Sequence, residues 1–166
     1  MITLRPATAF DADALRELIL IHGPNPWNWL PPEGVEATLM QLVAGQAGGV
    51  LAEAGPQLVG AVIHRREDTY PALRPVEVPA VQAAFIVEAV VHRDHAGQGI
   101  GARLLASACA HLADRGCLWV VADRHEENAA SAGMMRKAGF AELAVYDDPQ
   151  RRTSGTGRTT VCGRYL

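Results

Sequence analysis

Val90-Val91-His92-Arg93-Asp94-His95-Ala96-Gly97-Gln98-Gly99-Ile100-Gly101-Ala102-Arg103-Leu104-Leu105 joins an apolar strand to an amphipathic helix through three alternating glycines. Glycines at alternate positions let the backbone turn tightly and approach a ligand without Cβ interference. The helix that follows offers unpaired N–H groups and the positive end of its dipole to an anion, and a pyrophosphate fits that geometry. Upstream, residues 81–91 are nearly all apolar on both faces, as a central strand covered on both sides should be. Downstream, Ile100, Leu104, Leu105, Ala108 and Leu112 recur at helical spacing until Gly116 stops the helix.

Working outward, Asp11 reads as the cap of a helix that places Leu15, Leu18, Ile19 and His22 on one face, with Phe10 stapled back on Leu15 and Gly23-Pro24 ending it. Val35, Leu39, Leu42, Val43 and Gln46 mark a second helix. Between the two lies a rigid proline-rich loop that carries Trp27 and Trp29. Residues 50–54 and 58–64 form a hairpin around Gly55-Pro56, and a long connection then leads to the central strand. After the glycine loop and its helix come a buried strand at 117–122, a shorter helix at 129–138 and two final strands at 140–146 and 158–165. Residues 151–159 are polar and glycine-rich enough to be a mobile loop. The order β-α-α-β-β-β-α-β-α-β-β predicts one α/β domain over residues 1–166, a mixed, mostly antiparallel sheet of about seven strands with helices on both faces.

Composition narrows the classes of function. The chain has 166 residues, 49% of them hydrophobic, which suits one domain with a sizeable core. A net charge of −3 gives no basic field to hold a nucleic-acid backbone. Cys109, Cys117 and Cys162 read as reduced, mostly buried thiols, and with neither a leader nor an apolar span the expectation is a cytoplasmic protein away from membranes. His64, His95, His111 and His125 lack metal-ligand spacing, so no metal is expected.

At Ala96-Gly97-Gln98-Gly99-Ile100-Gly101 the chain resembles the GNAT superfamily of acyl-CoA-dependent N-acyltransferases. Their signature is Arg or Gln, two residues, Gly, one residue, then Gly or Ala, and only its first place departs, at Ala96. Leu4-Arg5-Pro6-Ala7-Thr8 with Asp11-Ala12 looks like the family's opening strand and helix. Asn128, Ser131, Lys137, Gly139 and Phe140 match its later pattern.

The resemblance implies acetyl-CoA as cosubstrate. It implies pantetheine contacts at Val90, Val91 and His92, a pyrophosphate held by the backbone of Gly97, Gln98, Gly99, Ile100, Gly101 and Ala102, and a bond from Asn128 to the CoA arm. Asn128 is placed equally well to cap the helix it precedes, and both roles can hold at once. Arg93, Arg103 and Gln98 are the nearby residues that could replace the side chain lost at Ala96. Arg136 and Lys137 read as a solvated helix face that could also meet the adenosine phosphate.

Glu88 is the candidate base. It is the one ionisable residue in the apolar run 81–91, burial would raise its pKa toward neutrality, and the family often carries an acidic residue in this region. The family's usual acid is a tyrosine seven residues after the motif asparagine, but Met135 stands there and has no proton to give. Tyr146, Tyr165, a water or no acid at all remain as alternatives.

The expected acceptor is a primary amine of a small molecule or peptide, framed by loops 24–33, 64–80 and 147–158, and the reading allows a homodimer. Trp27, Trp29 and Glu33 lie on the segment that forms a pocket wall in the family. Glu33, Glu36, Asp68 and Glu88 would favour a cationic amine.

Two rivals stand beside this reading. Gly97-Gln98-Gly99-Ile100-Gly101-Ala102 also fits the dinucleotide fingerprint G-x-G-x-x-A, with Asp123 about 20 residues on. The fingerprint belongs directly after its strand, however, whereas five residues separate Val91 from Gly97, and too little chain follows to complete a doubly wound sheet. The other rival is a non-catalytic acyl-CoA sensor, favoured by Ala96 and Met135 and opposed by Glu88.

Overall fold

A computed structural model describes residues 1–166. The elements are β1 (Ile2–Pro6), α1 (Ala12–His22), α2 (Pro32–Val43), β2 (Gly48–Ala54), β3 (Gln57–Arg65), β4 (Ala83–Val91), α3 (Ile100–Asp114), β5 (Trp119–His125), α4 (Ala129–Lys137), β6 (Ala141–Asp147) and β7 (Arg158–Tyr165). They follow the order expected from the sequence. All seven strands join one mixed sheet, β1-β2-β3-β4-β5-β7-β6, in which only β4 and β5 run parallel.

Each helix buries the face its periodicity dictates. Leu104, Leu105, Ala108 and Leu112 of α3 pack on one face of the sheet with Met135 of α4. Leu15, Leu18 and Ile19 of α1 and Val35, Leu39 and Leu42 of α2 cover the other face, against Leu51, Ala61, Ile63 and Val90. A smaller cluster of Val78, Phe85, Trp119 and Val121 lies under the long connection between β3 and β4. The three cysteines are buried and unpaired. No helix is long and apolar enough to cross a membrane.

The start of α1 differs from expectation. Phe10 is 98% exposed and staples nothing. The Asp11 carboxylate accepts from Arg5 at 2.8 and 2.9 Å and from the Thr8 N–H at 2.7 Å, so it anchors β1 to a short turn at Ala9–Asp11. Arg5 thereby holds Asp11 well below the usual carboxylate range, at about 2. The strand expected at 117–122 runs on to His125, because β7 pairs with it from Trp119↔Tyr165 to His125↔Thr159.

The feature that makes a site is the parting of β4 from β5. They pair only at Ala83↔Trp119, Ala84↔Val120 and Phe85↔Val121. Beyond this, β4 bulges: Ile63 opposes Glu88 and His64 opposes Ile86, leaving Val87 as the extra residue. A bulge bends its strand and increases its twist. β4 therefore follows β3 while β5 stays with β7, and a wedge opens at the carboxyl ends of the two parallel strands.

Leu105 is fully buried, so Leu105→Ala should cost about 2–5 kcal/mol in urea unfolding. Phe10→Ala should lie within about 0.5 kcal/mol of the parent, since its ring is in solvent.

Candidate active site

The wedge is a cleft of about 800 Å³. One wall is the free edge of β4. The His92 N–H donates to the Val59 carbonyl at 2.8 Å, and the His92 carbonyl accepts from the His95 N–H, so this peptide is used within the fold. Antiparallel pairing alternates, so Val90 also turns its peptide to β3, while Ala89 and Val91 point theirs into the wedge. Of the three residues expected to meet an extended ligand arm, Val91 has its peptide on the open edge, Val90 lines the cleft with its side chain buried, and His92 stands outside the lining.

The glycine loop closes one end. Gly97 and Gly99 have φ of +77° and +74°, a region that costs any residue with a Cβ. Gly99 is the residue from which α3 starts, so the first N–H groups of that helix face the cleft with no side-chain cap. Gly101 has a different purpose: a Cβ there would come within 2.4 Å of Met134 Sδ, so its absence lets α3 and α4 approach. Gly97, Gly99, Ile100, Gly101 and Ala102 line the cleft, whereas the Gln98 side chain is exposed.

The turn feeding this loop is fixed from α1. The Arg93 N–H donates to His22 Nδ1 at 3.2 Å, and the His22 and His92 rings lie 3.8 Å apart. Burial, then the neighbouring His92 and Arg93 charges, push the His22 pKa down, which keeps Nδ1 free to accept. Arg93 donates to the Pro24 carbonyl and lines the cleft; Arg103 instead reaches the Ile2 carbonyl outside it. Lys137 lines the cleft and Arg136 is exposed.

Asn128 caps α4, its Oδ1 accepting from the Ser131 N–H at 3.1 Å, and it lines the cleft as well. Met135 is buried in the core. Neither tyrosine considered as an acid reaches the cleft. Tyr165 donates to Glu77 at 2.8 Å beside Trp119, where β5 begins, and the Tyr146 hydroxyl is bonded to that of Tyr70 at 3.0 Å. No tyrosine lines the cleft.

Glu88 does line it. The bulge at Val87 sets its side chain on the face of α1 and α2, next to the open edge. It is half-buried and has no cationic partner. Desolvation raises its pKa to about 7, opposed only by the Ala89 N–H. Of the other carboxylates expected near the acceptor, Glu36 pairs with Arg16, Asp68 pairs with Arg74, and Glu33 is exposed on α2. None of these three lines the cleft.

The sequence reading missed the polar group opposite. Asp123, at the end of β5, accepts from the Tyr70 hydroxyl at 2.6 Å, from Arg151 at 3.0 and 3.2 Å and from Arg152 at 3.1 Å. The loop expected to be mobile is therefore pinned: Arg152 is buried, and Thr156 is held by Glu126 and Glu127. The one signal available was Asp123 at a strand end, which the dinucleotide reading had singled out for another reason.

The pattern of the acetyltransferase (GNAT) family matches residues 13–140. The chain belongs to that family. It is 36% identical over 102 residues to mycothiol acetyltransferase from Cellulomonas flavigena, a stretch covering 60% of this chain but 28% of that protein's length. Among solved structures, yncA from Salmonella typhimurium with its cofactor acetyl-CoA superposes with a TM-score of 0.76 at 19% identity, covering 100% of this chain and 94% of that one. The ribosomal-protein-S18-alanine N-acetyltransferase from Escherichia coli gives 0.75 at 16% identity, with the same coverage. At these identities the likeness is one of fold.

Gly99→Asp places a side chain and a negative charge where α3 offers its N–H groups, so calorimetric affinity for CoA should fall by about 100-fold or more in a folded variant. Arg103→Gln, outside the cleft, should change affinity less than about threefold.

Proposed function

We propose that residues 1–166 form one acetyltransferase domain that moves an acetyl group from acetyl-CoA to a primary amine in a ternary complex, with Glu88 as the base. The observation that carries this reading is an unpaired carboxylate of pKa about 7, set by a strand bulge beside an open β edge that ends in a glycine-rich helix N-terminus. All these groups lie in one chain, so the proposal needs no second subunit.

The residues present suit the donor. Ala89 and Val91 offer peptide groups to an extended amide-bearing arm, as an added strand would be held. The backbone from Gly97 to Ala102 faces a pyrophosphate, with Arg93 and Lys137 as the cations in the cleft wall that face phosphate charge. Asn128 has its Nδ2 donors left for the arm after capping α4. Bound acetyl-CoA supplies a thioester whose carbonyl carbon accepts the amine nitrogen as the carbon–sulfur bond breaks.

A protonated amine has no lone pair, so a proton must leave the nitrogen. Glu88 takes it, and near pH 7 it is divided between a form that accepts and a form that donates. An ordinary thiol has a pKa of about 8.5, above that of Glu88, so Glu88 can pass the proton downhill to the departing thiolate, directly or through water. One residue then serves both steps, which suits a cleft with no tyrosine.

The kcat/KM of the parent should rise with pH through about 7 and hold its plateau to about pH 9, with no falling limb from a tyrosine acid. Glu88→Gln should lose that limb and about 100-fold in rate, with acetyl-CoA affinity retained. Stability gives a second readout. Because the folded pKa of Glu88 lies above its unfolded value, the folded state holds more protons between about pH 4.5 and 7, and its contribution to stability is lost as pH rises through that window. Glu88→Gln should therefore melt higher than the parent at pH 8 and equal to it at pH 4. Identical pH profiles in rate and in melting would remove Glu88 from the mechanism.

A further inference from the structure

We propose that the acceptor is a small aminocarboxylate, an amine with a carboxylate on the same compact molecule, and that Arg151 selects it; this rests on the acetyltransferase reading above. Size is the first argument. The loop between α1 and α2 and the loop between β6 and β7 meet where both line the cleft. Ser154 Oγ donates to the Pro26 carbonyl. His125 Nδ1 accepts from the Glu127 N–H at 2.9 Å, so its Nε2 carries the proton and donates to the Ser154 carbonyl at 2.8 Å. Trp27 lies against the same imidazole, ring centroids 4.8 Å apart. One nitrogen of His125 is thus spent on the turn after β5 and the other on the strap, which makes it a positioning residue.

Beneath the strap is a second cavity of about 280 Å³, lined by both loops and sharing Trp27, Trp29, His125 and Arg151 with the main cleft. Cavities near 300 Å³ sit at the lower end of small-molecule sites. A compact molecule fills a space of that volume, whereas a polypeptide chain exceeds it.

Charge is the second argument. Two carboxylates line the cleft, Glu88 and Asp123, and they differ in kind. Asp123 is consumed by Tyr70, Arg151 and Arg152, whereas Glu88 has no cation and is free for an amine. Arg151 is the reverse of Asp123. Its Nη2 is held by Asp123 and its Nη1 by Asp148 at 3.3 Å, but its Nε donates to nothing in the protein. Its side chain is 49% exposed, against 9% for Asp123 and 13% for Asp148. The guanidinium is therefore held by well-covered carboxylates, stays accessible itself and lines both cavities, oriented in advance. A fixed guanidinium with a free donor edge matches a carboxylate and loses little entropy on binding it. The largely exposed ring of Trp29 is left for the apolar body of the acceptor, while Trp27 packs on His125.

The test measures CoA release with acetyl-CoA and the twenty L-amino acids, each beside its primary amide, together with spermidine and a ten-residue peptide with a free N-terminus. At least one amino acid should exceed its amide by about 100-fold in kcat/KM and should also exceed spermidine and the peptide, the loss expected when a charge-assisted pair is replaced by a neutral one. Arg151→Gln should bring that acid-to-amide ratio below about tenfold, mainly through KM, and Arg151→Lys should keep part of it. The assignment is overturned if no amino acid exceeds its amide, or if the ratio survives Arg151→Gln. Should Arg151→Gln fail to fold, the acid-to-amide comparison in the parent decides by itself. Use of amides, spermidine or the peptide as readily as acids refutes the acceptor class while the acetyltransferase reading stands. Acetyl-CoA binding with no transfer to any amine refutes both.

Discussion

Three residue pairs hold the two halves of the sheet together, and what happens after the third governs everything else in the molecule. β4 is tied to β3 by a register that shifts at Val87, and β5 is tied to β7 along its full length. A strand cannot follow both neighbours when one of them carries it off at a bulge, so the parallel pair comes apart after Phe85 and Val121. Buried backbone groups must be satisfied, and the edge released at Ala89 and Val91 has no partner strand to satisfy it. The parting therefore creates both a cavity and a demand for hydrogen bonds within it. The same bulge turns Glu88 toward the α1 and α2 face.

The stability of the site is distributed unevenly, as function requires. Glu88 is left desolvated without a cation, an arrangement that weakens the fold at neutral pH and has no structural return. Asp123, across the wedge on β5, is compensated three times over. In the proposed mechanism the unpaired carboxylate is the one that exchanges a proton, while the saturated one holds a loop in place. Met135 is packed in the core and lines the cleft with a thioether that has no proton to give, so under the proposed mechanism proton transfer falls to Glu88.

Much of this was legible in local sequence. Strand and helix periods, the glycine alternation at 97–101 and the solitary Glu88 in an apolar run are short-range signals, and each placed its element within a few residues. What escaped depends on distant partners. The pinning of the loop after β6 rests on Asp123, which lies 28 and 29 residues before Arg151 and Arg152, and the anchoring of Asp11 rests on Arg5 reaching it across a turn. Phe10 satisfied the staple pattern, yet no surface was there to receive it. Gly101 fitted the anion motif and turned out to answer to Met134 as well. The cationic-amine expectation counted carboxylates by position along the chain, but three of the four are turned to arginines or solvent away from the cleft.

The claim that the parted edge of β4 and the glycine loop together receive the donor can be read amide by amide. Hydrogen exchange of the protein, free and saturated with CoA, reports which N–H groups acquire partners. Protection should appear at Ala89 or Val91 and across Gly97 to Ala102, while the His92 amide, already donated to Val59, should change little. Saturation with CoA that leaves the β4 edge and the loop exchanging as before would contradict the account.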